Sequence, residues 1–176
     1  MRIVAGRYGG RSLAAPRGRL TRPTSDRVRE ALFSTLGPVD GANVLDLFAG
    51  SGALALEALS RGAASATLVD SSPAAIAAIR RNLGALGLEA EVRRQTVTAF
   101  LARARSGARQ YDLVFLDPPY RHASALGTEL SSALAPVLAP GCRVVAESDR
   151  RAPLELELPV LHERRYGDTL IRIHGP

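Results

Sequence analysis

The chain reads as a doubly wound α/β protein: a mostly parallel seven-stranded sheet with an antiparallel C-terminal edge, plus a small N-terminal β-hairpin extension. Three observations carry that reading. From residue 43 onward, apolar runs of strand length alternate with helical stretches. The first of these strands runs through a glycine turn into a helix, "VLDLFAGSGALALEAL". The tail, "PLELELPVLHERRYGDTLIRIHG", alternates with period two and carries no helix signal.

Taken in order, residues 2–15 ("RIVAGRYGGRSLAA") set short apolar stretches on both sides of Gly9-Gly10. Such a pair can supply the positive φ of a tight turn, so this segment is the expected hairpin. "PRGRLTRP" is a linker that no core pattern claims. Thr24, Ser25 and Asp26 are each able to cap a helix "DRVREALFSTLG", with Val28, Leu32 and Leu36 on one stripe and Gly37-Pro38 as its stop. Strands are then expected at 43–48, 65–70, 90–94, 111–117 and 143–148, with helices near 51–61, 72–86, 97–106 and 123–137. That alternation is Rossmann-like. The tail supplies two antiparallel strands that close one edge, with Gly167-Asp168 at the hairpin tip. The boundaries divide the chain into an arm and linker, 1–23, and a main domain, 24–176.

A chain of 176 residues with 46% apolar content can build one sizeable core. No apolar run is long enough to span a bilayer, and "MRIVAGRYGG" lacks the apolar h-region of a secretory signal. The single cysteine, Cys142, excludes an internal disulfide framework and a cysteine-built metal site. The expectation is a cytoplasmic protein without metal or membrane association. The charge is more informative. The formal net charge is +6, and all 23 basic residues are arginine. Residues 1–29 hold eight arginines against one acid, Asp26, whereas the rest of the chain holds 15 against 16 acids. A basic arm on a near-neutral body is the footprint of a polyanion, and interleaved glycines and Tyr8 favour nucleic acid. Arg2, Arg7, Tyr8, Arg11, Arg17, Arg19 and Arg22 are its candidate contacts.

The glycine turn is the first candidate site. Gly50 and Gly52 allow close backbone approach, and the helix opening near Ser51 aims unpaired N–H groups at the same place. Asp70, ending the next strand, can accept both ribose hydroxyls of an adenosine-bearing cofactor. Gly50-Ser51-Gly52-Ala53-Leu54-Ala55 also satisfies the dinucleotide pattern, so the loop alone does not separate NAD from other adenosyl cofactors. Asp46 is the useful detail. A carboxylate two residues before the turn repels a pyrophosphate and favours a cationic amine or sulfonium.

The second candidate site is "FLDPPY", at the end of the fourth parallel strand and beside the glycine loop. Pro118 and Pro119 have fixed φ and no N–H, so they hold a rigid loop whose Pro118 carbonyl remains an acceptor. With Asp117, two acceptors converge, which suits an exocyclic amine with its two N–H donors. Tyr120 offers a face on which a flat base can stack.

The pair "VLDLFAGSG" and "FLDPPY", in this order and spacing, resembles class I S-adenosylmethionine-dependent methyltransferases that modify exocyclic amines. "RIVAGRYGGRSLAAPRG", "TRPTSDRVREALFSTLG", "FAGSGALALEALSRGA" and "RYGDT" extend the resemblance to the RsmD family, which methylates N2 of one guanine in 16S rRNA. The resemblance covers essentially the whole chain. It implies S-adenosylmethionine as cofactor, with 24–176 as the methyltransferase domain, and 16S rRNA in the assembling 30S subunit as partner, met by a monomer. It further implies that Asp46, Phe48, Ala49, Gly50, Ser51 and Gly52 hold the methionine end, and that Asp70 and Ser71 hold the ribose. Asp117 and Pro118 would grip the amine, Tyr120 would stack on the base, and Arg22 and Thr24 would lie over the cofactor or the RNA entrance. The family usually carries Asp or Asn after the third strand, near the adenine; here Thr96 and Val97 stand there.

Other residues read more simply. Cys142 is a small buried residue rather than a nucleophile, and His122, His162 and His174 are a loop residue and two edge-strand residues. An amino-methyltransferase acting on DNA adenine or tRNA is the nearest alternative, although 176 residues leave no room for an inserted DNA-recognition domain. A non-catalytic RNA-binding assembly factor is the other.

Overall fold

The structure, a computed structural model, describes residues 1–16, 25–104, 107, 109–118 and 123–175, the side chains of 123–126 excepted. Helix α1 (Asp26–Leu36) precedes β1 (Asn43–Leu47), α2 (Ala53–Ser60), β2 (Ser65–Asp70), α3 (Pro73–Leu86), β3 (Glu91–Arg94), α4 (Val97–Ala104) and β4 (Tyr111–Leu116). Then come α5 (Ala123–Leu134), a 3-10 turn at Ala135–Val137, β5 (Leu138–Asp149), β6 (Val160–Tyr166) and β7 (Thr169–His174). The seven strands lie in the order β3-β2-β1-β4-β5-β7-β6. The first five are parallel, and β7 inserts antiparallel between β5 and β6. The expected Rossmann-like doubly wound sheet with an antiparallel C-terminal edge is therefore the observed one.

Burial on both faces explains why the parallel strands are apolar throughout. Val44, Leu68, Leu113 and Phe115 meet α1, α2 and α3 through Phe33, Leu56 and Ile79. Their strand neighbours Leu45, Leu47, Val114 and Leu116 point the other way, toward Leu101 of α4 and Leu130 and Leu134 of α5. Among the three possible caps of α1, Ser25 does the work: its side chain accepts from the Val28 N–H at 3.3 Å. Gly37, at φ 70°, ends the helix, and its N–H donates to the Phe33 carbonyl.

The N-terminal segment departs from a simple hairpin. Its only ladder contact is an isolated bridge between Arg2 and Ser12, and the turn spans residues 5–10. The left-handed positions are Gly6 (φ 80°) and Gly10 (φ 82°), not Gly9. The two halves of the segment are joined by the Ile3, Gly10 and Leu13 N–H groups, which donate to the Arg11, Ile3 and Met1 carbonyls, while donors between them turn inward to the body. The Val4 and Ala5 N–H groups donate to the Glu57 carboxylate of α2 at 2.7 and 3.0 Å. The Arg7 N–H donates to the Ser60 carbonyl at 2.7 Å, and the Tyr8 N–H to Ser60 Oγ at 3.0 Å. Ile3 and Leu13 are buried in the same core as the sheet. A side chain on Gly6 would collide with the Ser60 carbonyl, so this contact is what requires glycine there. Residue 23, the expected division between arm and domain, lies outside the described residues.

The tail also differs in one respect. The alternation in residues 153–159 is real, with Leu154 and Leu156 buried and Glu155 and Glu157 exposed, but that stretch forms no strand. It runs extended along α5, where the Glu157 N–H donates to Ser131 Oγ at 2.8 Å and Gly127 leaves no room for a Cβ beside the Glu155 carbonyl. Strand β5 starts earlier than expected because it bulges around Gly141 (φ 74°) before regular pairing resumes at Leu113–Arg143.

Glu57 is buried and is also ion-paired with Arg61 at 2.7 Å, while the Arg61 guanidinium lies 4.8 Å from the Phe33 ring centre. Replacing Glu57 by Ala leaves these donors without an acceptor, a loss of about 3–5 kcal/mol for a broken buried pair. The expected result for Glu57→Ala is lower stability in urea titration and faster tryptic cleavage after Arg7 and Arg11, with Glu57→Gln intermediate.

Candidate active site

In a parallel sheet, ligands bind at the carboxyl ends of the strands. That end holds Phe48–Gly52 after β1, Asp70–Ser72 at the close of β2, Gln95-Thr96 after β3 and Asp117-Pro118 after β4. β1 and β4 are neighbours in register, with Leu47 opposite Leu116. Phe48 and Asp117 therefore leave adjacent strands at the same level, one strand spacing of about 4.8 Å apart. The glycine loop and the "DPPY" loop start side by side. Asp117 is half-buried and Pro118 is buried.

The loop after β1 is bent more sharply than its glycines announce. Phe48 (φ 65°), Gly50 (φ 57°) and Gly52 (φ 78°) are all left-handed. For a bulky residue such as Phe48 this is a strained backbone, of order 1–3 kcal/mol, and strain of that kind concentrates at functional sites. No sequence rule assigns positive φ to a phenylalanine, so this signal was not available from the residues alone. Gly52 is needed twice over, since a Cβ there would also press on Leu68 Cδ2 at 2.8 Å.

Two buried carboxylates hold this shape. The Gly50 N–H donates to Asp70 Oδ2 at 2.9 Å, and the Ser72 N–H donates to Asp70 Oδ1 at 2.8 Å. The Ala55 N–H donates to Asp46 Oδ2 at 3.2 Å. This revises the expected helix opening near Ser51. Helix α2 begins at Ala53, and one of its first-turn N–H groups is spent on Asp46 rather than aimed at a ligand. Asp46 is 2% exposed. Burial pushes its carboxyl up to about 7; the Ala55 N–H pulls it down and the nearby Asp70 charge pushes it up further. Among the described residues no basic side chain is paired with Asp46.

The other expected residues divide. Ala49 is buried and donates its N–H to the Val69 carbonyl at 3.0 Å, while Ser71 is exposed beside Asp70. Ser51 is buried and its carbonyl accepts from Asn82 Nδ2 at 3.0 Å. Asn82 was missed by sequence reasoning. This buried α3 side chain also exchanges two hydrogen bonds with the backbone of Ala14, at 2.8 and 3.0 Å, and so ties the N-terminal segment to the glycine loop. Thr96 is exposed and caps α4, its Oγ1 accepting from the Ala99 N–H at 3.2 Å; Val97 is buried in the core. Tyr120, Arg17, Arg19, Arg22 and Thr24 lie outside the described residues.

On the arm, Arg2, Arg7 and Arg11 are exposed, and Arg2 is ion-paired with Asp26 at 3.0 Å. Tyr8 is half-buried against the core, with the Arg7 guanidinium 5.5 Å from its ring centre. Arg29, counted with the arm's charge, is instead fully buried and donates to the Arg2 carbonyl and to Asp26, so the exposed charge is smaller than the formal excess. Cys142 is buried, and burial pushes its thiol up to about 12, which keeps it protonated and disfavours a nucleophilic role. Among the described residues no helix is long and apolar enough to cross a membrane.

Comparison with known proteins agrees with this architecture. The family model described as "Conserved hypothetical protein 95" matches residues 1–175. The Bacillus subtilis protein YlbH, provisionally named an rRNA methyltransferase, is 40% identical over 186 residues, covering 99% of this chain and 98% of that protein. Ribosomal RNA small subunit methyltransferase D of Escherichia coli is 46% identical over 123 residues; that match covers 69% of this chain and 61% of the enzyme. The solved structure of Escherichia coli yhhF superposes with a TM-score of 0.84 at 36% identity, covering 99% of this chain and 97% of that one. The chain belongs to the RsmD family of methyltransferases.

Proposed function

We propose that this protein transfers a methyl group from S-adenosylmethionine to the exocyclic N2 of a guanine in 16S rRNA, the guanine numbered 966 in the family's target, during assembly of the 30S subunit. The observation that carries the reading is a buried carboxylate without a basic partner among the described residues, Asp46, set one strand away from Asp117-Pro118. The fit to the cofactor follows from charge. Two buried acids within electrostatic reach of each other disfavour a pyrophosphate and favour a cation. Asp46 and the loop Phe48–Gly52 would hold the cationic methionine end, and Asp70 the ribose. Thr96, as a helix cap, would leave adenine recognition to neighbouring backbone groups.

When bound, S-adenosylmethionine supplies an electrophilic methyl on a sulfonium whose loss leaves a neutral thioether. The residues of this chain supply orientation. A guanine amine is a poor nucleophile because its lone pair is delocalised into the ring. Asp117 and the Pro118 carbonyl accept its two N–H groups, favour pyramidal geometry at nitrogen and aim the lone pair. The departing proton would leave through Asp117 or water. Tyr120 stacks on a base splayed out of an RNA loop, which is cheaper than extraction from a duplex. Arg2, Arg7 and Arg11, with Arg17, Arg19 and Arg22, hold surrounding phosphates. The reading takes the protein to act as a monomer in the cytoplasm.

The deciding assay supplies labelled S-adenosylmethionine with naked 16S rRNA, 30S particles lacking the modification, tRNA and duplex DNA, and identifies the labelled nucleoside by mass. N2-methylguanosine from rRNA or 30S is the expected product; N6-methyladenine or label in tRNA would keep the chemistry and replace the substrate. Asp117→Ala is expected to lower transfer by roughly a hundredfold to a thousandfold while cofactor still binds, and loss of cofactor binding would reassign it. The arm's charge is tested by Arg7→Ala with Arg11→Ala rather than by deleting residues 2–19, because a deletion would strip Ile3 and Leu13 from the core. Weakened RNA binding with unchanged cofactor binding is expected.

Asp46 predicts a pH effect. Its folded pKa is raised, so its contribution to stability is full below about pH 4 and declines as pH rises to about 7, by an amount on the order of 4 kcal/mol. Asp46→Asn removes that decline in denaturant titrations of the cofactor-free protein. A cationic ligand needs the ionised form, so wild-type cofactor affinity rises with pH up to about 7 and calorimetry below that pH shows proton release on binding, both absent in Asp46→Asn.

A further inference from the structure

The motif "RYGDT" forms the β6–β7 turn, and the site described above makes no use of it. Its place in the sheet gives it one. β4, with Asp117 at its end, is the central strand, with three strands on either side. The N-terminal segment lies on the β1 side, over α2 and α3. On the other side β5 runs parallel to β4, with Ala146 opposite Leu116, and continues to Asp149 opposite Thr169 of β7. The β6–β7 turn at Gly167-Asp168 therefore stands at the catalytic end of the sheet. It rises about two residues, roughly 7 Å, above the level of Asp117, at a lateral distance of roughly 10–14 Å.

Two guanidinium groups meet there. Arg150 and Arg151 follow β5 and both reach Asp168 of the turn, whereas Arg164 and Arg165 lie earlier on β6 and point to opposite faces of the sheet. The pair at the turn is held loosely. Arg150 and Arg151 share one oxygen of Asp168, Oδ1, at 3.4 and 3.7 Å, and Arg165 contacts Glu163 at 3.0 Å. Arg151 and Arg165 are 73% and 71% exposed, and Asp168 is 64% exposed. Exposed pairs of this kind contribute little to folding, so stability does not account for two like charges on one exposed carboxylate. The Arg150 N–H already fixes the turn by donating to the Asp168 carbonyl at 2.8 Å, independently of the side chains.

We propose that Arg150 and Arg151 form a second phosphate-binding surface, which holds the RNA backbone on the side of the target nucleotide opposite the N-terminal arm. This rests on the RNA-methylating reading of the Asp117 site. A strand crossing the carboxyl edge of the sheet would then be gripped on both sides of the base that enters the site, with Asp168 as the carboxylate that the phosphate displaces.

The test measures binding of naked 16S rRNA and of unmodified 30S particles across a series of salt concentrations, with methyl transfer in parallel. Arg150→Ala/Arg151→Ala is expected to weaken RNA binding about tenfold or more at physiological salt. It should lower the slope of log K against log [salt] by about 1–2, and leave cofactor affinity and the rate at saturating RNA unchanged. Asp168→Asn, which keeps a residue suited to the turn, is expected to strengthen binding, because the competing carboxylate is gone. Wild-type affinity and slope in the double variant would overturn the proposal, as would weaker binding in Asp168→Asn, which would mark the ion pairs as structural. A wild type whose RNA binding depends on these arginines but which transfers no methyl would support the surface and overturn the methylation reading. A wild type that binds no RNA would overturn both.

Discussion

The catalytic end of this protein is shaped by two carboxylates taken out of water. Asp70 and Asp46 are buried at successive strand ends, and their oxygens are tied to backbone N–H groups of Gly50, Ser72 and Ala55. Those bonds pin a loop in which Phe48, Gly50 and Gly52 all adopt left-handed backbone. Burying like charges close together is unfavourable unless something of opposite sign completes the group. On the reading proposed above, the same feature that shapes the loop would also select what it holds. A neutral loop of this geometry would accept many adenosyl ligands, but an acidic one discriminates among them by charge.

Most of the sheet was legible because its strands are short apolar runs ended by turn residues, and a doubly wound order follows from alternation alone. The errors have specific causes. Residues 153–159 alternate as a strand would, but the alternation reflects packing against α5, and period two does not reveal what an extended segment faces. Gly9-Gly10 looked like a tight turn; the backbone instead spends its donors on Glu57 and Ser60, more than forty residues away. The site's acids and glycines were readable because strand ends and turns carry distinctive residue types. Asn82 was not, since an asparagine inside a helix announces nothing until the backbone groups of Ala14 and Ser51 arrive on either side of it.

Helix α2 has a double duty that follows from its position. Its first turn is anchored by Asp46, beneath the glycine loop, and its last turn receives the N-terminal segment through Glu57 and Ser60. Those anchors, Ala55 and Ser60, are five residues apart on one helix, about 7.5 Å. The arm and the loop are thus placed relative to each other by a rigid rod, and Asn82 adds a second link between them. The basic face of the arm is in this sense an extension of the scaffold.

That docking changes the thermodynamics of recognition. A basic tail that is free in solution must surrender its backbone and side-chain freedom at the moment it meets a polyanion, and the ordering subtracts from the affinity its charges could provide. Here residues 1–16 are ordered before any partner arrives, at the expense of folding and through Ile3, Leu13 and the Glu57 carboxylate. On the reading proposed above, association would draw on a backbone already in position. Pre-organisation of this backbone lowers the ordering cost that binding a polyanion would otherwise incur.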